Sequence, residues 1–179
     1  MGIPKQLETV RLIIGILSAN EQFAVNAKQK LIERFGPLDL EMPPIPFTYT
    51  DYYKDELGNS PLRSFLSFEN RIDREALAEI KMETNEMENI WNRNVNIDPG
   101  YMTLGQFFLA TTKDQRHRVY LGRGIFAEVT LYFEDGHFHP FDWTYPDYKS
   151  DVYISFLEKA RERFAYHLTT GHPYSMRGK

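Results

Sequence analysis

The stretch RHRVYLGRGIFAEVTLYFEDGHFHP, Arg116 to Pro140, decides the fold. Apolar and polar residues alternate from Arg116 to Leu121 and again from Ile125 to Phe133, the period of strands with two unlike faces. Gly122-Arg123-Gly124 is a short glycine-rich turn between them, and Asp135-Gly136 is a strong two-residue turn signal. The expected pairs are Leu121 with Ile125, Val119 with Ala127 and Arg118 with Glu128, then Phe133 with Phe138 and Tyr132 with His139. One face then carries Val119, Leu121, Ile125, Ala127, Val129, Leu131 and Phe133 and is the expected core face. The opposite face presents Arg116, Arg118, Tyr120, Phe126, Glu128, Thr130, Tyr132, His137 and His139. In this register His117 falls on the core side, apart from Arg118, unless the strand begins after it.

Upstream, Val10 to Leu17 reads as a strand buried on both faces. Asn20 caps a helix with Phe23, Ala24, Ala27, Leu31 and Phe35 on one stripe, and Gly36-Pro37 ends it. Leu38 to Tyr49, with three prolines, reads as an edge strand or loop. Asp51 to Leu57 could form one helical turn closed by Gly58-Asn59, and Leu62 to Phe68 a strand. Asp73 is expected to cap the longest helix, reaching about Asn92 with Leu77, Ile80, Thr84, Met87 and Trp91 inward. Lys81, Asn85 and Glu88 would form a polar ridge beside that stripe, and Thr84 could bond a backbone carbonyl. Asn96 to Tyr101, around Asp98-Pro99-Gly100, reads as a loop, and Met102 to Thr111 as containing a strand. A last helix from Asp151 to Leu168, capped by Ser150, buries Tyr153, Phe156, Leu157, Ala160, Phe164 and Leu168.

This order predicts an α+β fold: an antiparallel sheet with ferredoxin-like βαββαβ order, both its helices on one face, extended by two C-terminal hairpins and a last helix. Residues 1–168 are expected to form a single domain, with a disordered tail over 169–179.

Composition narrows function. A net charge of −4 and a pI near 5.8 argue against a broad nucleic-acid-coating surface. The absence of cysteine excludes thiolate chemistry and disulfides, and no apolar run approaches the roughly 20 residues of a membrane span. A cytoplasmic protein is expected. No phosphate loop, dinucleotide-binding glycine motif, nucleophile elbow or zincin motif occurs.

The site is expected on the polar hairpin face. Lys113, Arg116, His117 and Arg118 lie together in sequence, and arginine forks suit phosphate or carboxylate oxygens. Asp98, Tyr101, Tyr145 and Asp147 would wall the pocket, with Tyr120, Lys81 and Asn85 as further ligand contacts. If chemistry occurs, His117 and Glu128 are the acid–base candidates. The expected ligand is a small anionic, nucleotide- or phosphate-like molecule, with no cofactor and no metal. His137-x-His139 has a metal-like spacing but reads as surface. The alternative is a non-catalytic RNA- or protein-interaction module using the aromatic loops Thr50-Asp51-Tyr52-Tyr53 and Trp143 to Tyr148.

The chain resembles an uncharacterised prokaryotic family, domain-of-unknown-function family 4416. The resemblance spans nearly all of it: the first strand, Arg34-Phe35-Gly36-Pro37, Phe47 to Tyr53, Lys81, Thr84, Asn85 and Asn96 to Tyr101. It continues through Ala110 to Asp114, His117-Arg118-x-Tyr120-Leu121, Gly124-Ile125, Ala127 to Leu131 and Trp143 to Tyr148. Membership implies no activity. Some members carry a GTP-binding label, for which this chain offers no phosphate loop; His137 and His139 are outside the shared pattern.

Overall fold

The computed structural model describes residues 2–3, 7–49 and 60–174. The helical turn expected at Asp51 to Leu57, the Thr50–Tyr53 loop and the last five residues of the tail lie outside these residues.

β1 (Val10–Ser18) is buried at all nine positions, as its β-branched run requires. It has a strand on each side and helices above and below. β3 (Leu62–Ile72) and β4 (Asn96–Met102) flank it, both antiparallel. β2 (Leu38–Pro46) pairs with β3 at the sheet edge, where its prolines leave no ladder bond unmade. Beyond β4 come β5 (Gln106–Thr111), β7 (Ile125–Glu134) and β6 (Arg118–Gly122). The spatial order is β2-β3-β1-β4-β5-β7-β6, and β8 (His137–Pro140) adds to β7.

α1 (Glu21–Phe35) starts at Asn20, whose side chain accepts from the Phe23 N–H at 3.0 Å. It ends at Gly36, where φ is +98° and a side chain would strike Asn70. α1 packs Ala27, Leu31 and Phe35 onto Leu12, Ile14 and Ile16 of β1, and Ile80 of α2 (Leu77–Asn89) joins the same cluster. α3 (Asp151–Thr170) covers the other face, where Tyr153, Phe156, Leu157 and Ala160 meet Ile13, Phe65, Met102 and Phe107. The domain is thus α+β, one antiparallel sheet with two helices on one face and one on the other.

Several expectations need correction. Asn96 to Met102 is a strand, not a loop. Its pairing with β1 runs from Arg11–Met102 to Leu17–Asn96, because an apolar strand buried on both faces needs a partner on each edge, and that demand outweighs the Asp-Pro-Gly turn signal. α2 is shorter than α3. It begins at Leu77 after a 3₁₀ turn at Arg74–Ala76, with no capping bond from Asp73, and ends at Asn89. α3 continues to Thr170 and closes at the left-handed Gly171, two residues past the helix end expected at Leu168.

The hairpin registers agree where they are tightest. Arg118 faces Glu128, Val119 faces Ala127, Tyr132 faces His139 and Phe133 faces Phe138. Two bulges alter the faces. One, between Tyr120 and Gly122, pairs Gly122 with Ile125, so the turn is Arg123-Gly124 and Leu121 is not opposite Ile125. The other, where Phe107 and Phe108 pair with Leu131 and Val129, resets the alternation along β7. Ile125 and Ala127 therefore pack with Leu77 and Ala78 of α2, whereas Leu131 and Phe133 join the cluster under α3. Val119 and Leu121, expected in the core, are exposed on the edge strand.

Candidate functional site

The site arises from a split in the sheet. β5 pairs with β4 only over Gly100, Tyr101 and Met102. Gly100 sits where a Cβ would stand 2.2 Å from the Phe108 carbonyl oxygen, so glycine permits the strands' closest approach. Before Gly100 no β5 partner is present, and Pro99, which has no N–H to donate, lies at that unpaired stretch. Asn96 to Pro99 and the end of β5 from Ala110 onward thus diverge. The wedge between them is a cavity of about 650 Å³, within the range of small-molecule sites. α2 closes one side and the Tyr145–Tyr148 segment the other.

Asp98 anchors the floor. Its Oδ2 accepts from Arg63 Nη1 at 2.9 Å and Asn96 Nδ2 at 2.6 Å, and Lys81 Nζ lies 3.8 Å from Oδ1. Gly15, opposite Asp98 in β1, makes this possible: a Cβ there would stand 2.9 Å from Arg63 Nη1. Burial opposes the Asp98 charge, but Arg63 and Lys81 overcome it and hold the carboxyl below its ordinary range. Burial likewise opposes the Arg63 charge, but Asp98 together with Tyr148, Tyr153 and Asp147 outweighs it, so its pKa is raised. Lys81 also donates to the Ile97 carbonyl at 2.9 Å, and the Ile97 N–H donates to Glu88 at 2.7 Å. The polar ridge expected beside the stripe is buried at Lys81 and Glu88, because α2 lies over the open edge of β4. Thr84 donates to the Lys81 carbonyl at 3.0 Å, satisfying the hydroxyl inside the apolar stripe. Burial raises the pKa of Glu88, with Lys81 opposing, and that of Asp147, with Arg63 opposing.

A second cluster closes the far wall. Glu128 Oε2 receives Arg118 Nε at 2.9 Å and His117 Nε2 at 3.0 Å. β6 begins at Arg118, so His117 precedes the pleat and both side chains reach the same carboxylate. Arg118 also donates to the Lys113 carbonyl at 2.9 Å and to the Tyr145 hydroxyl at 3.4 Å. His117 stacks on Trp143 with ring centroids 5.4 Å apart, and Trp143 stacks in turn on Phe141. The expected polar face is consequently buried at Glu128 and Thr130, covered by the 143–148 segment.

The cavity brings together Lys81, Asn85, Asp98, Lys113, Arg118, Glu128, Tyr145 and Asp147 of the expected site. It leaves out four. Arg116 is exposed; Tyr120 is 60% exposed beside Phe126; Tyr101 packs against Phe108 toward α2; His117 touches Glu128 from behind. Sequence reading assigned no role to Arg63, saw Tyr148 only within the aromatic loop of the alternative reading, and did not place Glu88 in the site. The available signals were a cation inside a strand otherwise fit for the core and a glycine inside a buried strand. His137 pairs with Glu158 at 3.2 Å and His139 stacks on Tyr132. Among the described residues, no group of three or more histidine, aspartate or glutamate side chains is placed to hold a metal.

Fold and site define a class: an α+β protein whose antiparallel sheet opens between two strands into a cavity floored by buried ion pairs. The chain belongs to the DUF4416 family, a domain of unknown function, whose model matches residues 8–164. No curated protein and no solved structure was found to match it. No helix among the described residues is long and apolar enough to cross a membrane.

Proposed function

We propose that the split-sheet cavity binds a small anionic, nucleotide- or phosphate-like ligand. The observation that carries this reading is the convergence of three cations, Arg63, Lys81 and Arg118, with side chains 3%, 7% and 2% exposed, on one cavity. Burying such groups is costly, and a fold that gathers three of them around an open space has a use for their donors. Turnover, if the site has it, draws on Glu128, which lines the cavity, with His117 as the group that orients and polarises it. The same reading takes β1 to β4 with α1 and α2 as a ferredoxin-like unit, supported by the order β2-β3-β1-β4, which the two hairpins and α3 extend. A cytoplasmic setting belongs to it too, since a chain without cysteine needs no oxidising compartment.

The test is thermal stabilisation by nucleotides and sugar phosphates, compared between wild type and Arg118→Ala. A ligand at 100 times its Kd adds about 2.7 kcal/mol, worth roughly 5–10 °C in a chain of this size. Equal shifts in both proteins, or none in wild type, reject the site. The rival reading as an RNA- or protein-interaction module draws on Trp143 and Tyr145, 40% and 45% exposed. An RNA gel shift that stays blank even at low salt removes its RNA form.

A further inference from the structure

The two ends of the sheet differ. β2 closes one with Pro43, Pro44 and Pro46, which have no N–H to offer a further strand. β6 closes the other with Arg118-Val119-Tyr120-Leu121-Gly122 and no proline. Val119, Tyr120 and Leu121 are 68%, 60% and 42% exposed. They are consecutive, so both faces of this edge strand are apolar. β7 pairs with one side of β6, and among the described residues no strand pairs with the other. Natural sheets otherwise suppress edges of this kind. Arg116 and Arg123 stand just beyond the two ends of the strand, both exposed. Arg118 is buried against Glu128, but neither of these two arginines has an ion-pair partner among the described residues. Asp114, two residues before Arg116, pairs with neither.

We propose that the β6 edge takes an extended peptide segment of a partner protein as an added strand, apolar at its centre and acidic at its ends, independently of the cavity's ligand. The open ladder sets the partner's conformation, since main-chain hydrogen bonds along an edge are met by another strand. Val119, Tyr120 and Leu121 call for apolar side chains on both faces of that strand. Arg116 and Arg123 call for carboxylates at its ends. A second copy of the chain fits this edge poorly. Antiparallel self-pairing about Tyr120 would set Val119 against Leu121, but it would bring Arg123 of each copy to the Arg116–His117 turn of the other. The bulge between Tyr120 and Gly122 also turns the edge away from a rigid second sheet, whereas a flexible peptide follows it. Five strand residues bury far less than the roughly 1,200–2,000 Å² of a stable interface, which suits a short linear segment bound transiently.

Selection of phage-displayed random dodecapeptides on the whole chain, followed by fluorescence anisotropy on the best binder, tests this. The selected peptides are expected to share alternating apolar residues flanked by aspartate or glutamate. Val119→Lys, a change at an exposed position, is expected to weaken the best binder at least about tenfold. Methylating every second backbone amide of that peptide, in one of the two registers, should abolish binding, because the ladder bonds are lost. Arg116→Glu with Arg123→Glu is expected to weaken it about fivefold. Selection that yields no binder, or binders indifferent to Val119→Lys, overturns the docking edge. Binders that need the edge but tolerate the charge reversal overturn the acidic ends. Sedimentation that shows a dimer dissolved by Val119→Lys makes a second copy the occupant and overturns the peptide.

Discussion

Gly15 and Asp98 face each other across the β1–β4 pair, and the side chain that Gly15 lacks is what lets Arg63 reach the Asp98 carboxylate. An added Cβ would lie 2.9 Å from both Arg63 Nη1 and the Phe65 ring. Neither can retreat, since Arg63 is buried and ion-paired and Phe65 is packed under α3. Gly15→Ala is expected to cost about 1–3 kcal/mol in urea unfolding. Preceding the Ala change with Phe65→Leu should recover part of the loss; no recovery would show that the clash lies elsewhere.

Gly100 is constrained by backbone rather than by a side chain. A Cβ would approach the Phe108 carbonyl oxygen to 2.2 Å, and that oxygen cannot swing away as a side chain can. Gly100→Ala should part β4 from β5 at the point where the cavity begins, with a cost near the top of the overpacking range, about 3 kcal/mol. Hydrogen exchange should report it as faster exchange of amides in β5 than in β1. Uniform acceleration across both strands would contradict this localisation.

Arg11 is wholly buried, 3.0 Å from Asp39, and donates to the Phe68 carbonyl at 2.7 Å. Arg11→Ala leaves the buried Asp39 carboxylate with only the longer pair to Arg163 at 3.7 Å and should cost about 3 kcal/mol, whereas replacing the pair together, Arg11→Met with Asp39→Leu, should be milder. A double variant as unstable as the single one would refute this account.

Asp147 gives a signed pH dependence. Burial raises its folded pKa above the ordinary carboxylate value, so the unfolded chain releases the proton first as pH rises. Its stabilising contribution is complete below the unfolded pKa and is lost as pH rises through the folded one. Asp147→Asn should therefore flatten the stability profile above the ordinary carboxylate range and be relatively more favourable at neutral pH than at pH 4. Asp98 has the opposite sign: its folded pKa is depressed, so its contribution is present above the unfolded value and fades as pH falls through the folded one. An Asp147→Asn profile parallel to wild type at every pH would reject the assignment.

Much of the fold was legible from short-range patterns. The β-branched run of β1, the Asn20 cap and Gly36-Pro37 stop of α1, and the Asp135-Gly136 turn each depend on residues within a few positions, and each was read correctly. Half of the site was legible for the same reason: Arg118 opposite Glu128 follows from period two alone. What failed depended on distant partners. Asp98-Pro99-Gly100 carries strong turn residues, yet β1 draws that segment into the sheet. Lys81 and Glu88 read as a polar ridge beside the α2 stripe, and only the gap beside β4 shows the Ile97 backbone groups that they bind.

The sequence by itself determined which segments are strands and helices wherever a local period or a cap sets the answer, and it determined that Arg118 and Glu128 meet. Only the tertiary structure decided that β4 and β5 part company after three paired residues, and so that Arg63, Lys81, Asp98 and Asp147, from four separate segments, surround one space. The reason is physical. A hairpin register is fixed by covalent neighbours, whereas a split between strands is set by packing on both sheet faces and by the balance of buried charges, which no single segment contains.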